Sequence, residues 1–189
     1  MQNIIVGVVI VVLVILVSVI VIYNSLIALK NNREQAFSDI DVQLKLRYDL
    51  VPNLVNTIKG YATHEQDTLE NVTKLRVMAM GAQGIDDKIK AENQFAGAVK
   101  SLFAVAENYP DLKANQNFLQ LQTELADIEN KIAAARRFFN SATKEFNTVL
   151  LSFPTNLLNS FFRFQQGTFF DIGSNADVER ENVTVNLDK

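Results

Sequence analysis

Cysteine is absent from this 189-residue chain, which excludes disulfides, thiolate zinc sites, thiol nucleophiles and a lipidated N-terminal cysteine. Histidine occurs once, at His64, and one imidazole cannot build a di-iron bundle that needs a Glu-x-x-His motif on each of two helices. The chain has no nucleophile elbow, phosphate loop or Gly-rich dinucleotide turn. His64 and Glu65 invite reading as a catalytic pair, but neighbouring helical residues point about 100° apart and cannot act on one substrate atom. His64 is therefore expected at the surface, and no catalytic residue, cofactor or metal ligand is assigned. Basic residues are scarce as well: a net charge of −3 and a sequence pI near 5.2 leave no dense basic face, so nucleic acid is not an expected partner.

Charge is also missing locally. No Asp, Glu, Lys or Arg precedes Lys30. Residues 4–22 run through Ile, Val and Leu with one Gly and one Ser, a length of about 28 Å at helical rise, close to the thickness of a bilayer's hydrocarbon core. The reading is a single-pass transmembrane helix at 4–22 after a short tail at 1–3. A cleaved signal peptide fits less well, because Met1, Gln2 and Asn3 carry no basic side chain and no small-x-small site follows the run. Tyr23 falls where an interfacial aromatic would, and Lys30, Arg33, Lys45 and Arg47 follow it. By the positive-inside rule the N-terminus is expected outside and the rest of the chain in the cytoplasm.

Beyond the span the dominant pattern is helical. Phe118, Leu121, Leu125, Ile128, Ile132, Ala135, Phe139, Ala142, Phe146, Val149 and Phe153 keep an unbroken three-four rhythm with no Gly or Pro among them. Such a seam belongs to a long helix packed lengthwise against others. Its partner is a second long stripe through Phe37, Ile40, Leu44, Tyr48, Val51, Val55, Ile58, Ala62, Glu65, Leu69, Val72, Arg76 and Ala79. Pro52 lies inside that stripe, and because the apolar phase crosses it without reset the expectation is a kinked continuous helix rather than a break. Gly81 and Gly84 should end it through a left-handed cap, with Asp86 and Asp87 opening the next helix. That shorter helix carries Ile89, Glu92, Phe95, Val99, Leu102 and Ala106, and Asn117 with Gln120 resembles a capping box for the seam helix. Leu157, Leu158, Phe161 and Phe162 form a last short stripe.

The expected fold is all-α, an N-terminal transmembrane helix continuing into an antiparallel bundle at 23–166. The bundle has three long helices, a short fourth one and coiled-coil-like seams, and a tail follows at 167–189. The middle helix is too short to cover the whole seam, so the remainder must be covered by the Phe-rich C-terminal segment, a second copy or a partner. Phe161, Phe162, Phe164, Phe169 and Phe170 read first as fold-back packing and second as a membrane-contacting foot.

Polar residues near the seams are the candidate interaction or register positions. Arg47, Glu65 and Arg76 lie near the stripe that begins at Phe37, and Glu129, Asn130, Arg136 and Asn140 flank the seam that begins at Phe118. They are either solvated flanks or a buried polar layer that fixes helix register. Asp41, Lys45, Asp49, Asn53 and Lys59 are either an ordinary wet face or a docking face near the membrane.

The run Ile40-Asp41-Val42-Gln43-Leu44-Lys45-Leu46-Arg47-Tyr48-Asp49-Leu50-Val51-Pro52-Asn53-Leu54-Val55 resembles the LemA family of bacterial membrane proteins. So do Lys59-Gly60-Tyr61, Tyr109-Pro110-Asp111-Leu112-Lys113-Ala114-Asn115, Glu129-Asn130-Lys131-Ile132, Ala135-Arg136-Arg137 and Phe153-Pro154. The resemblance spans most of 23–165, and departs at Leu46, where a second basic residue is common, and at Phe139, where Tyr is common. It implies a single-pass anchor with a helical bundle in the bacterial inner membrane, and no known catalytic activity. The functional expectation is a non-enzymatic membrane scaffold or adaptor that binds copies of itself or another membrane or envelope protein. The alternative is a self-assembling oligomer that shapes or stabilises membrane. A metal-dependent hydrolase is the weakest reading.

Overall fold

The computed structural model describes residues 1–170; 171–189, the polar part of the expected tail, lie outside the described residues. The described residues form helices only: α1 (Gln2–Lys59), α2 (Gln66–Gly81), α3 (Ile85–Glu107), α4 (Pro110–Lys113), α5 (Gln116–Leu151) and α6 (Thr155–Phe162). The fold is an all-α helical bundle. α1 is continuous through Pro52, as the uninterrupted apolar phase implied.

The second stripe is, however, two helices. α1 stops at Lys59, where Gly60 disfavours helix and the amides of Tyr61 and Ala62 both donate to the Ile58 carbonyl at 2.9 Å. α2 begins after Glu65. The rhythm survives the break because Ala62 and Leu69 are buried on either side of it, at 0% and 6% exposure. The positive backbone angle sits at Gly84, which precedes α3 with φ 78°, so glycine opens α3 rather than capping α2. Asp86 and Asp87 fall in the first turn of α3, where negative charge meets the helix dipole. At the start of α5 the capping oxygen comes from Asn115, which accepts from the Phe118 amide at 3.1 Å, two residues before the expected Asn117 box.

The chain divides into two compact units. One comprises Met1–Asp39 and Arg137–Phe169. Its core is Leu26, Phe146 and Leu150, with Ile22, Leu29, Val149, Phe162 and Phe164 packed around it. Phe37 meets Phe139 edge-on at 5.6 Å, and Arg33 lies over the Phe139 ring at 4.9 Å while its Nε donates to Thr143 Oγ1 at 3.1 Å. Asn147 exchanges two hydrogen bonds with the Gly167 backbone, so the segment after α6 is pinned to α5. The C-terminal phenylalanines thus fold back in part. Phe162 and Phe164 are packed, whereas Phe153 and Phe161 remain 78% and 83% exposed. The seam accordingly ends before Phe153, and Leu157 also faces out. Residues 1–18 of this unit are exposed throughout, and α1 is by length and composition able to cross a membrane.

The other unit comprises Ile40–Arg136 with Phe170. Ile40, Leu44, Val51, Leu54 and Ile58 on α1, Val72 on α2, Phe95 and Leu102 on α3, and Leu125 and Ile132 on α5 fill its interior. Phe170, which fell in the expected tail, is buried here under the Arg136 guanidinium, 4.2 Å from the ring centre.

Candidate functional site

The centre of this second unit is ionic. Arg47 and Tyr48 are adjacent on α1, at positions that the helix turns toward α3 and α5, and both are buried, Arg47 completely. Nη2 of Arg47 pairs with Glu92 Oε2 on α3, and Nη1 donates to Glu129 Oε1 on α5 at 2.5 Å. The Tyr48 hydroxyl donates to the other oxygen of Glu92. The Arg47 guanidinium also stacks over Phe95 at 5.1 Å, and the Tyr48 ring lies 5.6 Å from the same phenyl group. One arginine therefore ties three helices together through two carboxylates.

The electrostatics follow from burial. Glu92 is fully buried, and the loss of water pushes its carboxyl pKa up, against the pull of Arg47 and the Tyr48 hydrogen bond. Burial likewise pushes the Tyr48 phenol well above its ordinary range, reinforced by the neighbouring Glu92 carboxylate. Glu129 is different, because its side chain is 45% exposed and remains partly hydrated. Arg47 and Tyr48 take the two Glu92 oxygens, and Glu92 and Glu129 take the two terminal nitrogens of Arg47, so the cluster links α1, α3 and α5.

Pro52 and Arg76 form a second linked feature. A proline inside a helix cannot donate to the carbonyl four residues earlier, here that of Tyr48. Arg76 of α2 supplies the missing donor, with Nε 2.6 Å from the Tyr48 oxygen. The proline, the arginine and the ionic cluster meet at one residue.

Of the expected positions, Arg47, Glu129 and Arg136 reach this region, and Arg136 adds positive charge near Glu92. Pro52 is half-buried, and Glu65 sits at the start of α2 without capping it through its side chain. Asn130 is exposed, and Asn140 belongs to the other unit. The supposed docking face is split: Asp41 pairs with Lys88 Nζ at 3.1 Å, while Lys45, Asp49, Asn53 and Lys59 are exposed. His64 is exposed as well. Two residues were missed, Tyr48 and, with a legible signal, Glu92. Its signal was an acid in phase with Ile89, Phe95 and Val99, where only apolar residues belong unless a cation answers it. Among the described residues no group of His, Cys, Asp and Glu gathers that could hold a metal ion.

Separate from the cluster, a groove of about 630 Å³ runs between α1 and α2, lined among others by Val55, Lys59, Leu69, Thr73, Val77 and Met78. Val77 and Met78 are 61% and 49% exposed.

The LemA family model matches residues 36–187, four-fifths of the chain, and so includes Arg47, Pro52, Arg76, Glu92 and Glu129. The chain belongs to the LemA family. A LemA protein of Metamycoplasma hominis is 28% identical over 164 residues, which is 85% of this chain and 72% of that relative. The magnetosome proteins MamQ 2 of Paramagnetospirillum magneticum and MamQ of Magnetospirillum gryphiswaldense are 22% and 21% identical over 174 residues, 78% of this chain. The alignment spans 64% of each MamQ protein, less than two thirds of their length. The apolar run at 4–22 precedes the LemA family match, whereas the ionic cluster lies inside it.

Proposed function

We propose that this LemA-family protein is a membrane-anchored, non-catalytic scaffold whose helical bundle offers surface for assembly with other proteins or with copies of itself. The observation that carries the reading is α1: its first turns are apolar and uncovered, and the same helix becomes a packed element from Leu26 onward. A helix that passes from lipid into protein without a linker fixes the bundle's first element to the bilayer. Support for the absence of catalysis comes from the ionic cluster, in which Arg47, Glu92 and the Tyr48 hydroxyl are engaged with one another and Arg47 and Glu92 are closed to solvent. The partner surface we assign is the α1–α2 groove with its exposed Val77 and Met78. Lys30 and Arg33, which follow the span, support a bundle on the cytoplasmic side.

Crosslinking in intact membranes, gentle extraction and mass measurement of the complex test the reading. A stoichiometric second protein, lost on Val77→Lys, supports the adaptor. A discrete assembly of this chain alone, also broken by Val77→Lys, supports self-assembly of the scaffold and opens the alternative that the assembly shapes membrane. A plain monomer overturns the proposal. Orientation is read separately: the chain has no native cysteine, so Met78→Cys should react with an impermeant maleimide only after the cells are opened.

A further inference from the structure

The first unit leaves one apolar surface without cover outside the span. Between Glu145 and Arg163 the chain has no charged residue. Inside that stretch α6 divides its side chains cleanly. Leu158 and Phe162, four residues apart, turn inward, and Phe162 meets Tyr23 edge-on at 5.2 Å. Phe164, just past the helix, lies 6.0 Å from the same tyrosine and packs on Phe146. Leu157 and Phe161, also four apart, turn outward at 61% and 83% exposure. Leu151, the last residue of α5, and Phe153 in the connection that follows are 57% and 78% exposed. Four large apolar side chains in one short uncharged segment are costly to leave in water.

The position of α6 along α1 selects what covers them. Phe162 of its inward face meets Tyr23 and, like Ile22, packs against the cluster of Leu26, Phe146 and Leu150, and Leu26 lies only about 6 Å of helical rise beyond the last residue of the apolar run. The polar interfacial layer on each side of a bilayer's core is of similar depth, roughly 5–8 Å. A helix fastened there sits at the depth where interfacial amphipathic helices bury their apolar faces. Arg163, exposed directly after α6, is placed to reach lipid phosphates.

We infer that the outward face of α6, with Leu151, Phe153, Leu157 and Phe161, is a lipid-binding foot that enters the interface of the same bilayer crossed by α1. This deepens the anchoring reading and rests on it. The foot adds a second point of attachment beside the span, so that the first unit cannot tilt freely relative to the bilayer plane.

The absence of tryptophan makes the test direct, because each introduced tryptophan is the only one. Full-length Phe161→Trp and, separately, Leu157→Trp are reconstituted into phosphatidylcholine vesicles with and without brominated acyl chains, with Val12→Trp as the reporter for the span. Loss of most of the emission at 161 and 157 in brominated lipid, together with protection from aqueous iodide, is the expected result. Quenching by iodide but not by brominated lipid, with Val12→Trp quenched by brominated lipid, overturns the foot and leaves the span standing. Protection from both quenchers means that protein covers the face, which also overturns the foot. If Val12→Trp escapes brominated lipid, the anchoring reading itself falls, and the foot with it.

Discussion

Arg47 is fully buried, and its removal leaves Glu92 buried without the cation that pairs with it. Breaking a buried pair from one side costs about 3–5 kcal/mol, whereas replacing the whole group by apolar residues is often neutral or stabilising. Arg47→Met should therefore lower the urea midpoint sharply, and Arg47→Met with Glu92→Leu should recover most of the loss. If the single variant is as stable as the parent, the cluster is not holding register. Tyr48 gives a pH test with a definite sign. Its phenol titrates well above the ordinary 10.0 in the fold, so between pH 10 and the folded value the native state holds a proton that the unfolded chain has released. Stability is fully present below about pH 10 and falls as pH rises beyond it. In Tyr48→Phe this contribution to the alkaline slope should vanish. Urea titrations of the two proteins from pH 8 upward should thus converge as pH rises, and curves that stay parallel would show the phenol uninvolved.

At the scale of elements, the pairing of Pro52 with Arg76 explains how a proline is accommodated inside a 58-residue helix. Hydrogen bonds to charged groups contribute about 1.5–3 kcal/mol, and Arg76→Met should cost about that much because the Tyr48 carbonyl is left without its donor. In a Pro52→Ala background the alanine amide can make the ordinary helical bond to that carbonyl. The cost of Arg76→Met should then shrink by 1 kcal/mol or more, a coupling that a double-mutant cycle in urea reads directly. Equal costs in both backgrounds would mean that Arg76 acts elsewhere. Much of the element plan was legible in sequence, because an apolar period of three and four reports burial faithfully: Leu44, Tyr48, Val51 and Ile58 are all interior. The same fidelity hid the break after Lys59, since period reports which face is buried and not whether the backbone between two buried faces stays helical. Gly60 was the local sign, and Glu65 in an apolar phase was the second. Arg47 and Glu129 could be named as register candidates from their places beside the seams, but the identity of their partner needed the tertiary arrangement that brings α3 against α1.

For the whole molecule, the apolar side chains fall into two sets, and only one of them is packed. The side chains of residues 1–18 are exposed throughout, so they add nothing to either packed core, while the first fully buried residue of α1 is Leu26. A sequence average cannot separate these sets; the charge-free stretch before Lys30 is what sets the first apart, because a bilayer span excludes charge as well as requiring apolarity. The division of the C-terminal phenylalanines was not legible at all, since Phe161 and Phe162 are adjacent and identical and differ only in which side of α6 they occupy. If membrane attachment and folding are independent in this way, deleting residues 1–18 should leave the unfolding free energy within about 1 kcal/mol of the full chain, because no buried side chain is lost. Flotation with vesicles should fall at the same time, leaving only what the α6 face retains. Urea unfolding followed by helical circular dichroism in mild detergent, with flotation on the same samples, makes both measurements. A truncated chain that loses its cooperative transition would show that the apolar run is part of the fold and not only its attachment, and would return residues 4–22 to the interior of an assembly.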